Sequence, residues 1–191
     1  MEIQFDEITH TYTVGGSKYP SVTQIINDII PYQYPIADWY LQRGAAVHAC
    51  AAMIANGVEF DYDDRIAGQV AAIYKFFKEV NPKAISAEGM VYSETYRFAG
   101  RYDLIAKIQD KWVFVDYKAN IDIERIGLQL GGYSMAQVPS EINIVNHGVG
   151  VAIKEDGNYS MTKIIDLKNY RREFLSLRAA YAVRERMGHH K

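Results

Sequence analysis

Residues 96–119, YRFAGRYDLIAKIQDKWVFVDYKA, decide the fold prediction, because they read as two strands joined by a tight turn. The polar turn Gln109-Asp110-Lys111 lies between apolar, β-branched and aromatic residues, which is the pattern of a β-hairpin. Side chains alternate faces along a strand, so Asp116 and Lys118 project to the same face. If the loop has an even number of residues, Asp103 on the first strand shares that face. We therefore predict an even-numbered loop.

Asp103, Asp116 and Lys118 would then form one small charged patch on the sheet. Two carboxylates this close repel each other unless a positive charge lies between them, and a hard divalent cation prefers such oxygen ligands. Protonated Lys118 cannot be a ligand, but it could orient an attacking water or stabilise a developing negative charge. The alternative is a solvated strand face. The apolar run 113–115 argues against that alternative, because a charge that interrupts a buried strand needs a partner or a function.

Several short motifs, taken in their order along the chain, resemble the PD-(D/E)xK nucleases, and within them the RecB-like exonucleases of bacteriophages. The opening segment, residues 5–26, is also similar to the start of phage members, so the resemblance covers roughly residues 5 to 137. The motifs are Arg43-Gly44-Ala45-Ala46-Val47-His48, Gly100-x-x-Asp103, Asp116-Tyr117-Lys118 and Gln129-x-x-x-Tyr133.

The resemblance implies an α/β fold, with a central mixed β-sheet flanked by helices on both faces, the restriction-endonuclease-like core. Residues 3–22 alternate polar and apolar side chains around Gly15-Gly16 and predict an N-terminal β-hairpin. At 191 residues the chain is expected to form a single domain. Periodicity predicts helices over about 23–30, 37–56, 66–80, 123–138 and 167–187, and further strands over 85–94, 142–151 and 160–165.

The resemblance also implies a metal-dependent hydrolysis of DNA. Asp103, Asp116, the backbone carbonyl of Tyr117 and His48 would hold one or two Mg²⁺ or Mn²⁺ ions, and Lys118 would position water or neutralise charge. Imidazole is an unusual ligand for magnesium and suits manganese better, so the site is expected to accept both. Without the resemblance, His48 reads as a core or boundary histidine of a helix.

Four further residues are candidates by the same resemblance. Relatives often carry a glutamate shortly before the Gly-x-x-Asp strand, and Glu88 matches it, although strand-edge surface is the alternative. Arg125, Gln129 and Tyr133 recur every four residues and share one helix face. The glutamine and tyrosine could bind a phosphate or hold Lys118 in place, and the alternative is a polar helix face.

Composition excludes several classes of protein. The single cysteine, Cys50, rules out an internal disulfide and a four-cysteine iron–sulfur cluster, and it suits the reducing cytoplasm of a bacterial host cell. No apolar run approaches the ~20 residues that span a bilayer, and the chain has no phosphate-binding G-x-x-x-x-G-K-[ST] motif. The net charge of −2 means that any basic track for DNA is local. The arginine-rich segment 167–187 is one candidate, with solvated surface as the alternative.

The expected function is therefore exonuclease activity on DNA ends in phage recombination, replication or repair, with a recombination or replication protein as a candidate partner. One alternative is a structure-specific endonuclease of the same chemistry, which acts on flaps or junctions. Another is a catalytically silent domain that binds DNA or protein. The combination of His48, Asp103, Asp116 and Lys118 argues against the silent domain, because binding alone gives no chemical reason to keep all of them.

Overall fold

A computed structural model describes residues 2–7, 9–32, 37–136 and 145–188. The protein is α/β, as the sequence predicted. The strands are β1 (Ile3–Asp6), β2 (Thr11–Val14), β3 (Ser17–Tyr19), β4 (Lys83–Ser93), β5 (Phe98–Ile108), β6 (Lys111–Lys118), β7 (His147–Ile153), β8 (Tyr159–Met161) and β9 (Ile165–Asp166). The helices are α1 (Val22–Ile29), α2 (Asp38–Ala55), α3 (Ala67–Val80), α4 (Ile123–Tyr133) and α5 (Lys168–Arg186), with a short 3₁₀ turn at Asp64–Ile66.

The central sheet is mixed, which confirms the prediction. Its order is β4-β5-β6-β7-β8, with β9 also paired to β7. Strands β4, β5 and β6 are antiparallel neighbours, whereas β6 and β7 are parallel and are joined through α4. The N-terminal segment forms a second, three-stranded antiparallel sheet, β1-β2-β3, so the predicted hairpin around Gly15-Gly16 has one more strand than expected.

Helices cover both faces of the central sheet. On one face, α2 and α3 bury Val70, Ile73 and Phe76 against strand residues such as Val113 and Val115. On the other face, α1, α4 and α5 bury a cluster that includes Ile26, Leu130, Phe174 and, from the sheet, Ile105 and Phe114. Val113 and Phe114 therefore lie on opposite faces, as strand alternation requires.

The β5–β6 hairpin has a two-residue loop, because Ile108 pairs with Lys111. The loop is even-numbered, as predicted, but Lys111 is the first residue of β6 and does not belong to the turn. Gln109 and Asp110 have φ values of +48° and +62°, the left-handed pair of a type I′ turn, which matches the twist of the flanking strands.

Most predicted boundaries agree with the structure within a few residues. Ser21 begins α1 with a capping box, since its hydroxyl accepts from the Gln24 N–H and the Gln24 side chain accepts from the Ser21 N–H. Helix α4 ends at Tyr133, earlier than predicted, and β7 extends to Ile153. The predicted helix end at 137–138 and strand start at 142–144 lie outside the described residues.

Within the described part of the chain, none of the helices combines the length and the apolar content needed to cross a membrane.

Candidate metal and catalytic site

The site opens where β5 and β6 separate. Their ladder runs from the turn to the pair Leu104–Val115, and the same register places Asp103 opposite Asp116. Instead of continuing the ladder, the Asp103 carboxylate accepts a hydrogen bond of 2.7 Å from the backbone N–H of Tyr117. The carboxylate thus takes the place of a main-chain acceptor, and it lies directly beside the Asp116-Tyr117-Lys118 segment.

The alternation of side chains reverses at this point of β5. Tyr102 belongs to the apolar cluster under α4 and α5, whereas Leu104 belongs to the opposite cluster under α2 and α3. The neighbouring strand β4 also deviates at this level, because Glu88, which lies between the pairs Ala87–Leu104 and Gly89–Tyr102, has a φ of +51°. Glu88 and Asp103 are therefore the two residues at which both strands leave regular geometry.

His48, Glu88 and Asp103 converge from three elements, α2, β4 and β5. Their ligand-type atoms all lie within 4.8 Å of one another, and all three residues are half-buried. The His48 Nδ1 atom is 2.9 Å from Asp103 Oδ1. An imidazole and two carboxylates at this spacing could hold a metal ion.

Asp116 and Lys118 form a second group next to the first. The Lys118 Nζ atom lies 2.7 Å from Asp116 Oδ1 and 2.6 Å from Oδ2. The Gln129 amide on α4 donates to the same Oδ1 at 2.9 Å and also contacts the Tyr133 hydroxyl at 3.1 Å. The side chain of Asp116 is 2% exposed and that of Lys118 is 32% exposed, so the lysine is the member of the pair that can meet a substrate.

Neighbouring charges set the protonation of this site. Burial raises the pKa of Asp103, but His48, Lys118 and the Tyr117 N–H outweigh burial and lower the pKa below its ordinary value. Burial lowers the pKa of His48, and contact with Asp103 more than restores it, so the pKa is raised. Burial also lowers the pKa of Lys118, but Asp116 and Asp103 raise it above its ordinary value. Lys118 is therefore an ammonium at neutral pH.

Two of the acids resist ionisation. Burial raises the pKa of Asp116, with a further contribution from Asp103, although Lys118 opposes the shift. Burial also raises the pKa of Glu88, and Asp103 adds to it, against the opposing effect of Arg101, which lies 3.5 Å from the Glu88 carboxylate. Because Asp103 contributes to both upward shifts, the carboxylates of the site repel one another, and a bound cation would relieve this repulsion.

The side chain of Tyr117 closes the floor of the site on the α2 side. Its ring packs edge-on against His48 and against Phe76 of α3, with centroid distances of 6.3 and 6.1 Å. The hydroxyl is buried and has no hydrogen-bond partner among the described residues. Burial, followed by the charges of Asp103 and Glu88, raises the pKa of Tyr117 well above its ordinary value.

The side chain of Arg125 is engaged in contacts within the fold. Its guanidinium donates to Asn27 Oδ1 at 2.6 Å and to the Ile30 carbonyl at 2.7 Å, and it stacks 3.9 Å from the centroid of the Tyr32 ring. The residue lines a small cavity of about 210 Å³ that also includes Lys118 and Gln129. Arg125 therefore ties the end of α1 to α4 at the edge of the site.

The arginines of α5 are also largely engaged within the fold. Arg171 donates to Ser134 and to the Val145 carbonyl, Arg178 to the Tyr96 and Arg97 carbonyls, and Arg184 to the Asp28 carbonyl. Arg172 and Arg186 are exposed. Helix α5 is consequently a packing element more than a continuous basic track.

Sequence reasoning missed Arg101, which belongs to the surroundings of the site. It lies 4.7 Å from the centroid of the Phe5 ring, interacts with Tyr12, and pairs with Glu88. Its position two residues before Asp103 was the available signal, since residues two apart on a strand share a face. That rule alone does not predict the contacts of Arg101 with Phe5 and Tyr12, because these two residues belong to the N-terminal sheet.

No protein-family model and no curated protein matches the chain. The residues of the site and their geometry are therefore the basis for assigning a function.

Proposed function

We propose that the protein is a metal-dependent deoxyribonuclease that hydrolyses phosphodiester bonds with PD-(D/E)xK chemistry. The observation that carries this proposal is the convergence of His48, Glu88 and Asp103 within 4.8 Å, beside the buried Asp116–Lys118 pair. A surface coincidence does not account for it, because Asp116 is almost fully buried and Asp103 caps a backbone N–H at the point where the strands part.

The residues present fit a divalent cation. Asp103 and Glu88 supply oxygen, His48 supplies nitrogen, and the buried Asp116 Oδ2 accepts no well-aligned hydrogen bond within the described part of the chain. We assign these residues, with the Tyr117 carbonyl, to Mg²⁺ or Mn²⁺, and the imidazole favours Mn²⁺. Such an ion polarises a phosphate and lowers the pKa of a bound water. One or two ions are compatible with this donor set.

Lys118 supports the reaction as a cation. Because Asp116 and Asp103 keep it protonated, it does not serve as the general base, and it can donate a hydrogen bond to the reacting water or to a phosphate oxygen. Asp116 fixes the direction of the Lys118 side chain through contacts of 2.6 and 2.7 Å, and Gln129 holds Asp116 through a hydrogen bond of 2.9 Å. Gln129 and Tyr133 thus act on the chemistry at least through Asp116, and Arg125 through the placement of α4.

We further propose that the substrate is DNA processed from an end, in the cytoplasm of a bacterial host during phage recombination, replication or repair. This finer proposal follows the motif order noted in the sequence and the absence of a strong overall positive charge, which suits a product that must leave. A structure-specific endonuclease shares all of the site chemistry and differs only in whether a free end is required.

The test is cleavage of linear and covalently closed circular DNA in Mn²⁺, in Mg²⁺ and in excess EDTA. We expect the linear substrate to be degraded in metal, circles to survive, and EDTA to abolish activity. Cleaved circles would replace the exonuclease with the endonuclease. Undiminished cleavage in EDTA, or no cleavage of any DNA in either metal, would overturn the proposed function.

A further inference from the structure

A cavity of about 640 Å³ opens beside the proposed catalytic site. One wall is shared with the site, since His48, Tyr117 and Lys118 line the cavity. The rest of the lining comes from α2, α3, the end of β7 and the turn that follows it, and it includes Val47 and Ile153. This volume lies within the roughly 300–1,000 Å³ range of sites that enclose small organic ligands.

This part of the lining depends on a close approach between α3 and the turn after β7. A Cβ atom on Gly68 would overlap the backbone carbonyl oxygen of Glu155, so glycine is required for this contact. The approach brings the Glu155 carboxylate into an ion pair with Arg43 of α2, and both residues line the cavity. At the inner wall, a Cβ atom on Gly44 would meet nothing within 4 Å, so the cavity has free space beside α2.

Gln69 gives the cavity a specific polar contact. The residue is 5% exposed and lines the cavity, yet its amide forms no hydrogen bond with any described residue. The amide oxygen and nitrogen of Gln69 are therefore available to accept and donate hydrogen bonds at the cavity surface. A ligand edge that carries both an acceptor and a donor would satisfy both groups at once.

The part of the lining around Tyr40 and Leu41 suits a flat ring. Tyr40 is 56% exposed, with Arg43 over its ring at 5.1 Å, and Leu41 lies next to it in the cavity wall. Aromatic side chains of this kind are platforms on which nucleobases stack, and such stacking does not require a particular base.

We propose that this cavity receives one unpaired nucleobase of the DNA strand that is cut, stacked near Tyr40 and hydrogen-bonded along its edge by Gln69. The proposal rests on the proposed nuclease function and names its substrate more closely: a strand whose base is free at the site, either single-stranded or frayed from a duplex end. Lys118 lies between the cavity and Asp116, so a base in the cavity would place its own backbone phosphate near the catalytic ammonium.

The test compares two short single strands of equal length and charge, one of ordinary nucleotides and one of abasic sugar phosphates. Binding is measured by fluorescence anisotropy, first in EDTA and then as the initial change in anisotropy after Mn²⁺ is added. The unaltered protein, Gln69→Leu and Gln42→Leu are compared. Gln42 is an exposed glutamine of α2 outside the cavity lining and is the matched control.

We expect the strand with bases to bind about tenfold more tightly than the abasic strand, on the scale of one stacked and hydrogen-bonded base. Gln69→Leu should remove a large part of this preference and leave abasic binding unchanged, whereas Gln42→Leu should change neither. A blunt duplex of the same sequence should bind more weakly than the single strand.

Equal affinity for both strands, or no measurable binding, would overturn the proposal. Cleavage of DNA without any preference for bases would overturn the cavity assignment and leave the nuclease function standing. Base preference without hydrolysis in Mn²⁺ would support the cavity and contradict the nuclease function, so the two failures are distinguishable.

Discussion

At the scale of single residues, Glu88 has the most unusual environment among the acids of the site. Its backbone adopts a φ of +51°, a conformation that costs a non-glycine residue roughly 1–2 kcal/mol. Its carboxylate lies between Arg101 and the Asp103–His48 pair, and its pKa is raised by burial and by Asp103. Strained residues of this kind are concentrated at functional sites, where the surrounding structure holds them.

The first prediction is that Glu88→Gln weakens Mn²⁺ binding at least about tenfold, the lower end of the effect expected for a group that holds a metal site together. The substitution keeps the size of the side chain but removes the negative charge that the cation requires. Titration calorimetry with Mn²⁺ measures the change, with Glu94→Gln as the control, because Glu94 is an exposed residue of the neighbouring β4–β5 connection. Equal affinity in both variants would remove Glu88 from the metal site.

At the scale of elements, the β5–β6 hairpin fixes the positions of Asp103 and Asp116 relative to each other. Its two-residue loop holds Gln109 and Asp110 in the left-handed region, where Asn and Gly are preferred. Within the described part of the chain, the turn is compensated by an exposed ion pair of 3.1 Å between Lys107 and Asp110, and such a pair contributes about 0–1 kcal/mol. The loop is therefore set by strand register and not by favourable turn residues.

A second prediction follows for this turn. Replacing Gln109 and Asp110 together by Asn and Gly should raise the free energy of unfolding by about 1 kcal/mol, and the midpoint of thermal unfolding by roughly 2–4 °C, since relief of backbone strain exceeds the lost ion pair. Asp110→Ala removes the ion pair without relieving the strain and should lower the midpoint. Thermal unfolding followed by circular dichroism measures both variants. A double variant less stable than the parent would show that the turn is not strained.

The motif glycine of β5 also has a structural reason at this scale. A Cβ atom on Gly100 would overlap the ring of Tyr133, which hydrogen-bonds Gln129 and through it reaches Asp116. The Gly100-x-x-Asp103 motif therefore combines a packing requirement at Gly100 with a candidate metal ligand at Asp103. The two motifs Gly100–Asp103 and Gln129–Tyr133, far apart in sequence, are parts of one contact.

At the scale of the whole molecule, the two sheets meet at the site. The N-terminal sheet buries Tyr12, Val14 and Tyr19 against Tyr92 and Ala99 of the central sheet, and it places Phe5 against the guanidinium of Arg101. Arg101 in turn holds Glu88. The N-terminal sheet thus supports the candidate metal site through Phe5 and Arg101.

The sequence predicted what depends on local periodicity. The even loop and the shared face of Asp116 and Lys118 followed from alternation and spacing, and the mixed sheet with helices on both faces followed from the resemblance noted in the sequence. The reversal of side-chain alternation at Glu88 and Asp103 could not be predicted from the sequence, because two strands must deviate together to produce it. The cavity did not follow either, since it depends on contacts such as Arg43–Glu155, whose partners are 112 residues apart.

The central claim is that the protein separates metal binding from chemistry, with the aspartates serving the first and Lys118 the second. Its most direct test is single-turnover cleavage of end-labelled DNA by Lys118→Ala, beside Mn²⁺ titration of the same variant. Lys111→Ala is the matched control, because Lys111 is an exposed lysine at the other end of β6. Thermal unfolding of each variant confirms that it is folded, since Lys118→Ala removes the ammonium that contacts the buried Asp116.

The account predicts that Lys118→Ala binds Mn²⁺ and DNA nearly as well as the parent but loses at least about 100-fold in cleavage rate, the usual scale for one electrostatic or proton-donating group. Lys118→Arg should not restore the rate, because a planar guanidinium does not replace a compact ammonium. Asp116→Ala should lose metal binding as well. Cleavage by Lys118→Ala at the rate of the parent and of Lys111→Ala would contradict the account, because Lys118 would then have no part in the chemistry.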